Sequence, residues 1–240
     1  MATGRELPPP SPFAGDDGAA DPHLQANLAR FAAGSATLYD VVVALAAARV
    51  LVPVLAELEA CATTDAGLAV DKEASAGVVA LRTPDGRTAL PVFSSVATMT
   101  AWRPGARPVP AQSVRAAASA LQEGWELLVL DPGGPVTVVV PRPAVQALAA
   151  GADWAPATGA GCVRPEVRAA VVAAVGALDH VVTADAVPGT GAEVAVVLGL
   201  RRGLDRAGLD RVLAQVGARL AADDVVTGAV DTLELRVTSV

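Results

Sequence analysis

Apolar residues along the chain follow two spacings, which together predict a mixture of helices and short strands. Leu24, Leu28 and Phe31 are four and three residues apart, which places them on one face of a helix. Asp21 and Pro22 stand just before them, and Asp as the cap with Pro in the first turn is a common helix start. We therefore expect the first helix to begin here.

The pattern up to residue 150 continues as alternating helices and strands. It predicts helices at residues 37–48, 94–102, 110–122 and 143–150, and strands at residues 49–55, 78–82, 88–93, 127–130 and 136–140. The segments Pro84-Asp85-Gly86 and Asp131-Pro132-Gly133-Gly134 combine residues that favour tight turns. Each segment stands between two predicted strands, so we expect two β-hairpins.

The last third of the chain reads as helix, two strands, helix and strand. Val167, Val171 and Val175 predict the first helix, and an amphipathic stripe over residues 209–220 predicts the second. The strands are predicted at residues 181–187, 193–200 and 229–237. This order favours a small, mostly antiparallel sheet with helices on one face.

These elements divide the chain into two modules. Residues 1–22 are rich in Pro and lack apolar spacing, so we expect a disordered tail. An N-terminal domain covers residues 23–150, a linker rich in Gly and Ala covers residues 151–163, and a C-terminal domain covers residues 164–240. The expected fold class is α+β, with two small modules that each hold a short, largely antiparallel sheet and packed helices.

Composition and charge narrow the function classes. The 240 residues carry a net charge of −7, which argues against a nucleic-acid partner bound through a broad basic surface. The most apolar stretch, residues 41–58, is interrupted by Arg49 and Pro53, so we expect no membrane span. Two cysteines and the lack of a signal peptide predict a reducing, cytoplasmic location.

Three segments resemble the SseB family, the enhanced serine sensitivity type. They are RVLVPVLAE at residues 49–57, DKEASAGVVALRTPDGRTALPVFSSVATMTAW at residues 71–102, and GWELLVLDPGGPVTVVVPRPAVQALAAG at residues 124–151. From VRPEVRAAVVAAV at residues 163–175 onward, the chain is similar to the second domain found in that family. The resemblance covers residues 24–240 and implies a two-domain architecture, but it brings no catalytic residue with it.

Residues that could support catalysis or metal binding are few and scattered. The histidines His23 and His180 and the cysteines Cys61 and Cys162 show no metal-ligand spacing, so we expect no metal site. Ser94-Ser95 precedes a predicted helix and is interpreted as a cap, since no motif places a base beside a nucleophile. We therefore predict no catalytic residue.

Glycine-rich segments occur at residues 133–134, 159–161 and 189–191, and phosphate-binding loops are one interpretation of them. None of them continues with the further glycine that a dinucleotide motif needs between a strand and a helix. We interpret all three as turns and predict no cofactor.

One polar run is a candidate interaction surface. The run includes the only lysine of the chain and leads into the first hairpin; its residues are Asp71, Lys72 and Glu73. Trp102 and Arg103 stand at the end of the helix that follows the hairpin. Trp and Arg are enriched at interaction hot spots, and a hairpin returns the chain near its start. The alternative is a solvated connection, with Trp102 packed in the core.

From these observations we expect a non-enzymatic protein that acts through contacts with a protein partner. The alternative is a sensor of a small, amino-acid-like ligand, because the helix and strand order of residues 164–240 suits a regulatory domain by analogy of fold. An enzyme with an unrecognised site is the third hypothesis.

Overall fold

The computed structural model describes residues 13–55, the backbone of residues 69–71, and residues 77–240. The chain divides into two compact units: unit 1 is Met1–Val140 with Leu148–Gly151, and unit 2 is Pro141–Ala147 with Ala152–Val240. The helices are α1 (Pro22–Ala32), α2 (Leu38–Ala47), α3 (Val96–Trp102), α4 (Ser113–Gln122), α5 (Arg142–Ala150), α6 (Pro165–Val175), α7 (Arg206–Ala221) and α8 (Asp224–Ala229). The strands are β1 (Arg49–Val54), β2 (Ala69–Asp71), β3 (Ala80–Arg82), β4 (Thr88–Val92), β5 (Arg107–Gln112), β6 (Leu127–Leu130), β7 (Val138–Val140), β8 (Thr158–Gly159), β9 (Cys162–Val163), β10 (Val181–Pro188), β11 (Val194–Leu200) and β12 (Leu233–Ser239).

The first two helices begin where the sequence predicts them, and the first begins at its predicted cap. Asp21 accepts hydrogen bonds from the backbone N–H groups of His23 and Leu24, both at 2.9 Å, and Pro22 occupies the first helical position of α1. Thr37 begins α2 with a reciprocal capping box to its third residue. Both helix starts are therefore confirmed.

Residues 13–22 belong to the predicted disordered tail, but they hold defined contacts in unit 1. Asp16 forms an ion pair with Arg49 at 2.6 Å, and Arg49 also donates to the carbonyl oxygen of Ala19 at 2.7 Å. The carbonyl oxygen of Gly18 accepts from the N–H of Val96 at 2.8 Å. This segment differs from the predicted tail because it supplies acceptors for the half-buried charge of Arg49. Residues 1–12 lie outside the described part of the chain.

The main sheet of unit 1 has the strand order β2-β3-β4-β6-β7. The hairpins β3–β4 and β6–β7 are antiparallel, as the turn sequences predict, and Gly86 takes a φ of 85° in the first turn. The neighbours β4 and β6 are parallel, and the chain passes from one to the other through α3, β5 and α4. This parallel pair places the ends of β4 and β6 at the same edge of the sheet.

Strands β1 and β5 form a separate antiparallel ribbon. Leu51 of β1 exchanges both backbone hydrogen bonds with Phe93, at 2.8 and 2.9 Å, so its polar groups point away from β5. Leu51 lies opposite Pro110, and Pro53, two residues further, lies opposite Pro108. Because the backbone groups of Leu51 point away from β5, both pairs occupy non-hydrogen-bonded positions of the ribbon. The nitrogens of Pro108 and Pro110 therefore face the outer edge of the ribbon.

The predicted helix at residues 110–122 is correct only from Ser113 onward. Arg107–Gln112 is the strand β5, which the sequence analysis missed because two prolines disfavour a strand interior. They are tolerated here because proline fits an edge strand where its nitrogen faces outward.

Unit 2 contains a three-stranded sheet in the order β10-β11-β12. The pair β10–β11 is antiparallel as predicted, whereas β11 and β12 are parallel and connected through α7 and α8. The predicted strand at residues 229–237 begins only at Leu233, because Asp223 caps the short helix α8 just before it. The core of this unit is built from valines and leucines of α6, α7, α8 and β11, among them Val171, Val196 and Val216.

Residues 151–163, interpreted as a linker, contribute to the structure of unit 2. Strands β8 and β9 form a short antiparallel ribbon, and Ala157 and Val163 join the core of the unit. The α+β fold class is confirmed, with the parallel pairs β4–β6 and β11–β12 as exceptions to the antiparallel pattern. Within the described residues, no helix combines the length and apolar character that crossing a membrane requires.

Candidate functional site

Unit 1 contains a cleft of about 310 Å³ between α4 and the ribbon of β1 and β5. This volume lies at the lower end of the range for small-molecule pockets. The apolar part of its lining is Val52, Val78, Leu90, Val109, Ala111, Ala116, Ala120 and Trp125. We refer to this feature as the cleft.

Small side chains on α4 and paired valines on the ribbon create the cleft. Ala116 and Ala120 are buried on the inner face of α4 and fill little space beneath the helix. Val52 lies directly opposite Val109 across the ribbon, and Val109 is 46% exposed. The cleft therefore has an apolar floor that reaches the protein surface.

The other wall of the cleft is polar. Arg115 and Ser119 on α4 and Glu123 at its C-terminal cap stand four residues apart and are exposed, so they form a ridge along one side of the helix. The ridge offers a positive charge, a hydroxyl group and a negative charge in sequence. A group bound in the cleft would meet apolar carbon on one side and polar atoms on the other.

The predicted interaction surface is brought together only in part. The guanidinium of Arg103 lies 5.1 Å from the ring centroid of Trp102, a cation–π distance. Trp102 packs at 5.1 Å against the ring of Phe93 and against the apolar residues of the main sheet. Its indole N–H is buried and has no hydrogen-bond partner among the described residues. These contacts favour the packing interpretation of Trp102.

The remaining members of that surface cannot be placed beside Trp102. The backbone of Asp71 lies in β2 opposite Ala80, and Lys72 and Glu73 fall outside the described residues. The interaction surface of these residues stays a prediction.

A buried pair, Asp131 and Ser94, lies where the parallel strands β4 and β6 end. The two carboxyl oxygens of Asp131 accept from the N–H of Ser94 at 2.8 Å and from its hydroxyl at 2.7 Å. The ends of parallel strands are common ligand sites, but here the two side chains bond each other. Ser95, rather than Ser94, caps α3 through a bond from Thr98 N–H at 3.1 Å. Asp131 therefore positions the chain after β4.

The histidines and cysteines in the described part of the chain stand apart from one another. His23 contacts Asn27 at 3.3 Å, His180 is exposed, and Cys162 is an exposed free thiol. Cys61 lies outside the described residues. Among the residues that are described, no three side chains of His, Cys, Asp or Glu are grouped to hold a metal ion.

The turn at residues 189–191 is closed by an internal carboxylate. The N–H groups of Thr190 and Gly191 donate to the two oxygens of Glu234 at 3.2 and 2.9 Å, and Arg236 donates to it at 2.5 Å. These bonds, led by that of Thr190, hold the pKa of Glu234 below its usual range. A bound phosphate would need these backbone N–H groups as donors, and Glu234 already occupies them. This supports the interpretation of residues 189–191 as a turn.

The geometry defines an α+β protein of two compact units, the first with an apolar cleft beside a polar ridge. The family model described as the SseB protein N-terminal domain matches residues 24–147. This match spans more than half of the chain, so the chain belongs to the SseB family. The match ends before the sheet of unit 2, and the similarity of residues 163–240 to the second domain of the family stays a prediction.

No curated protein and no solved structure matches the chain. The cleft itself was missed by the sequence analysis. The four-residue spacing of Arg115, Ser119 and Glu123 is visible over the predicted helix and the residue after it. The opposite wall comes from β5, which was not predicted because of its two prolines.

Proposed function

We propose that this chain is a non-enzymatic, cytoplasmic binding protein whose cleft receives an apolar side chain of a protein partner. The observation that supports this most is the contrast between the two walls of the cleft. A partner segment with an apolar side chain and neighbouring polar groups matches both walls at once. The buried pair of Asp131 and Ser94 is engaged internally, which favours binding over catalysis at that edge.

The apolar wall would supply most of the affinity. Val109 exposes 46% of its surface at the mouth of the cleft, while Leu90 and Trp125 are buried at its base. Removing such apolar surface from water is worth about 25 cal/mol per Å². An aliphatic or aromatic side chain inserted here would cover the exposed part of Val109 and rest against Leu90 and Trp125.

The polar ridge would set the orientation of the partner. Arg115 and Glu123 are exposed charges of opposite sign, and charges at the rim of an interface act more on specificity and association rate than on affinity. A partner with its own pair of opposite charges would therefore bind in one direction along α4.

A second candidate is a free amino-acid-like ligand, since the volume of about 310 Å³ and the guanidinium of Arg115 suit a small apolar carboxylate. A thermal-shift screen with free amino acids tests it, because a ligand that binds only the folded state raises the melting temperature. If an apolar amino acid raises the melting temperature and Arg115→Ala abolishes the rise, this second candidate replaces the first.

The test for a protein partner is site-specific photo-cross-linking in the native host. A photoreactive phenylalanine analogue replaces Val109 in the cleft, and the matched control replaces Val139 of β7, which is 45% exposed in the same unit. We expect a discrete partner band with the first position only. That partner should then lose affinity for Val109→Glu by at least tenfold and keep it for Val139→Glu. The same bands from both positions, or equal affinities of the two variants, would contradict the proposal.

A further inference from the structure

Strand β12 is an edge of the unit 2 sheet, and half of its backbone groups face outward. The N–H of Val194 donates to the carbonyl of Thr232 at 3.2 Å, and the N–H of Val240 donates to Leu200 at 2.9 Å. The even-numbered residues of β12 therefore face β11. The N–H and C=O groups of the odd-numbered residues, among them Leu235, point away from the sheet.

Proline, lysine and a β-bulge, three of the devices that protect edge strands, are missing from β12, whose charged residues are Glu234 and Arg236. Residues 233–239 contain no proline and no lysine, and their pairing with β11 runs without a register shift. The opposite edge strand, β10, has a register shift between Val181 and Thr183 and ends in Pro188. Within the part of the chain that the structure describes, the β10 edge of the sheet is therefore protected and the β12 edge is free to pair with another strand.

The open edge also carries an apolar stripe. Leu233, Leu235 and Val237 lie opposite Val194, Val196 and Leu198 of β11, which are fully buried in the core. The three residues on β12 share that face but remain 36%, 40% and 40% exposed. A further strand placed beside β12 would cover them.

We propose that a second copy of this chain pairs with β12 in the antiparallel direction, about a twofold axis through Leu235. In this register Leu235 lies opposite Leu235 of the second copy, and Leu233 lies opposite Val237. These are the outward-facing residues, so each pair exchanges two backbone hydrogen bonds. The two sheets join into one continuous sheet with a shared apolar face.

The charges on the opposite face single out this register. Within each chain Arg236 already donates to Glu234 at 2.5 Å. With Leu235 on the axis, Glu234 of one copy also lies opposite Arg236 of the other, so charges of opposite sign face each other between the two strands. A shift of two residues in either direction would place Arg236 opposite Arg236, or Glu234 opposite Glu234, and like charges directly opposite destabilise a sheet. A shift of one residue would move the apolar stripe onto the polar face of its partner.

This inference concerns unit 2 and is independent of the function proposed for the cleft. The first test is the molar mass of the full chain in solution, by light scattering across the micromolar range. We expect a dimer for the natural chain and a monomer for Leu235→Pro, which removes an outward N–H that β11 does not use. Circular dichroism should show the same fold for both. A monomeric natural chain, or a folded Leu235→Pro variant that stays dimeric, would overturn the proposal.

The second test reads the register by disulfide cross-linking in a Cys61→Ser, Cys162→Ser background. Hydrogen-bonded residue pairs have Cα atoms about 5.5 Å apart, which a disulfide can bridge. Leu235→Cys should therefore cross-link to itself under mild oxidation. Leu233→Cys should cross-link only when it is mixed with Val237→Cys, and the exposed control Val182→Cys should not cross-link. Equal cross-linking of all variants, or none with Leu235→Cys, would overturn the register.

Discussion

The edge strands β5 of unit 1 and β12 of unit 2 are exposed to similar degrees but differ in what they offer a partner. Pro108 and Pro110 leave the outer edge of β5 without N–H groups at two positions, so it cannot template another strand there. Strand β12 presents N–H groups at every outward position along an apolar stripe. The comparison supports two separate proposals, that unit 1 receives a side chain in its cleft and that unit 2 receives a strand at β12.

The two units also differ in where they keep their polar anchors. In unit 1 the anchors are buried: Ser113 donates to the carbonyl of Ala48 at 2.9 Å, and Asp131 holds Ser94. In unit 2 they are partly exposed carboxylates, such as Glu193 and Glu234, which tie turns to strands. Buried anchors cost more to remove, because their partners are left without water.

The largest effect is expected from the buried anchor of unit 1. Asp131→Ala leaves the N–H and the hydroxyl of Ser94 without acceptors, and it places alanine at a φ of 49°. We expect a loss of about 3 kcal/mol in the free energy of unfolding, measured by urea denaturation. Asp131→Asn is the control, since it keeps one acceptor and tolerates this backbone conformation. A loss below 1 kcal/mol for Asp131→Ala would show that this anchor is dispensable.

A smaller loss is expected from the matching anchor of unit 2. Glu193 accepts from the N–H groups of Ala157 and Asp231, both at 2.9 Å, and joins the start of the unit to its last strand. Glu193→Ala should reduce the unfolding free energy by about 1–2 kcal/mol in the same assay. Glu193→Gln, which keeps one carbonyl oxygen, should lose about half as much. If Glu193→Ala matched Asp131→Ala, the contrast between buried and exposed anchors would be wrong.

The two prolines that protect the outer edge of β5 can be replaced without changing the hydrogen bonds between β5 and β1. Pro108→Thr with Pro110→Thr restores outward N–H groups, while the bonds to β1 stay as they are. We expect stability to change by less than about 1 kcal/mol, and new concentration-dependent association to appear in light scattering. Replacing the exposed Val139 of β7 with Thr is the control for added polarity. No change in association would mean that the prolines do not guard this edge.

The smallest effect concerns pH and the exposed carboxylates of unit 2. The bonds from Thr190, Gly191 and Arg236 hold the pKa of Glu234 below its ordinary value. As the pH falls below about 5, the unfolded chain binds the proton first, so this part of the stability is present at neutral pH and is lost on acidification. Glu234→Gln should flatten the fall in melting temperature with decreasing pH. An unchanged pH profile would show that the bonds to Glu234 add no stability.

Features of the fold that depend on neighbouring residues were predicted from the sequence. Features that depend on pairing between distant strands were not. The cap at Asp21 and the turn at Asp85-Gly86 depend on residues within a few positions, and both were predicted. The parallel pairing of β11 with β12 joins strands separated by α7 and α8, which no local pattern encodes. Strand β5 was missed because the outward direction of a proline nitrogen depends on the partner strand.

The candidate sites follow the same division. The ridge of Arg115, Ser119 and Glu123 is readable as a helical spacing, but the opposite wall with Val52 and Val109 requires the ribbon. Likewise, the apolar alternation of residues 233–237 is visible in the sequence. Its position at an open edge is a property of the strand order, which only the structure provides.

Amide hydrogen exchange along β12, followed by NMR, tests most directly the claim that unit 2 presents an open edge to a second copy. The amides of Glu234 and Arg236 face β11 and should be protected in any folded form of the chain. The account predicts that the amides of Leu233, Leu235 and Val237 are protected as well at dimer-forming concentrations, and lose that protection on dilution. Rapid exchange of these three amides at all concentrations, beside protected amides at Glu234 and Arg236, would contradict it.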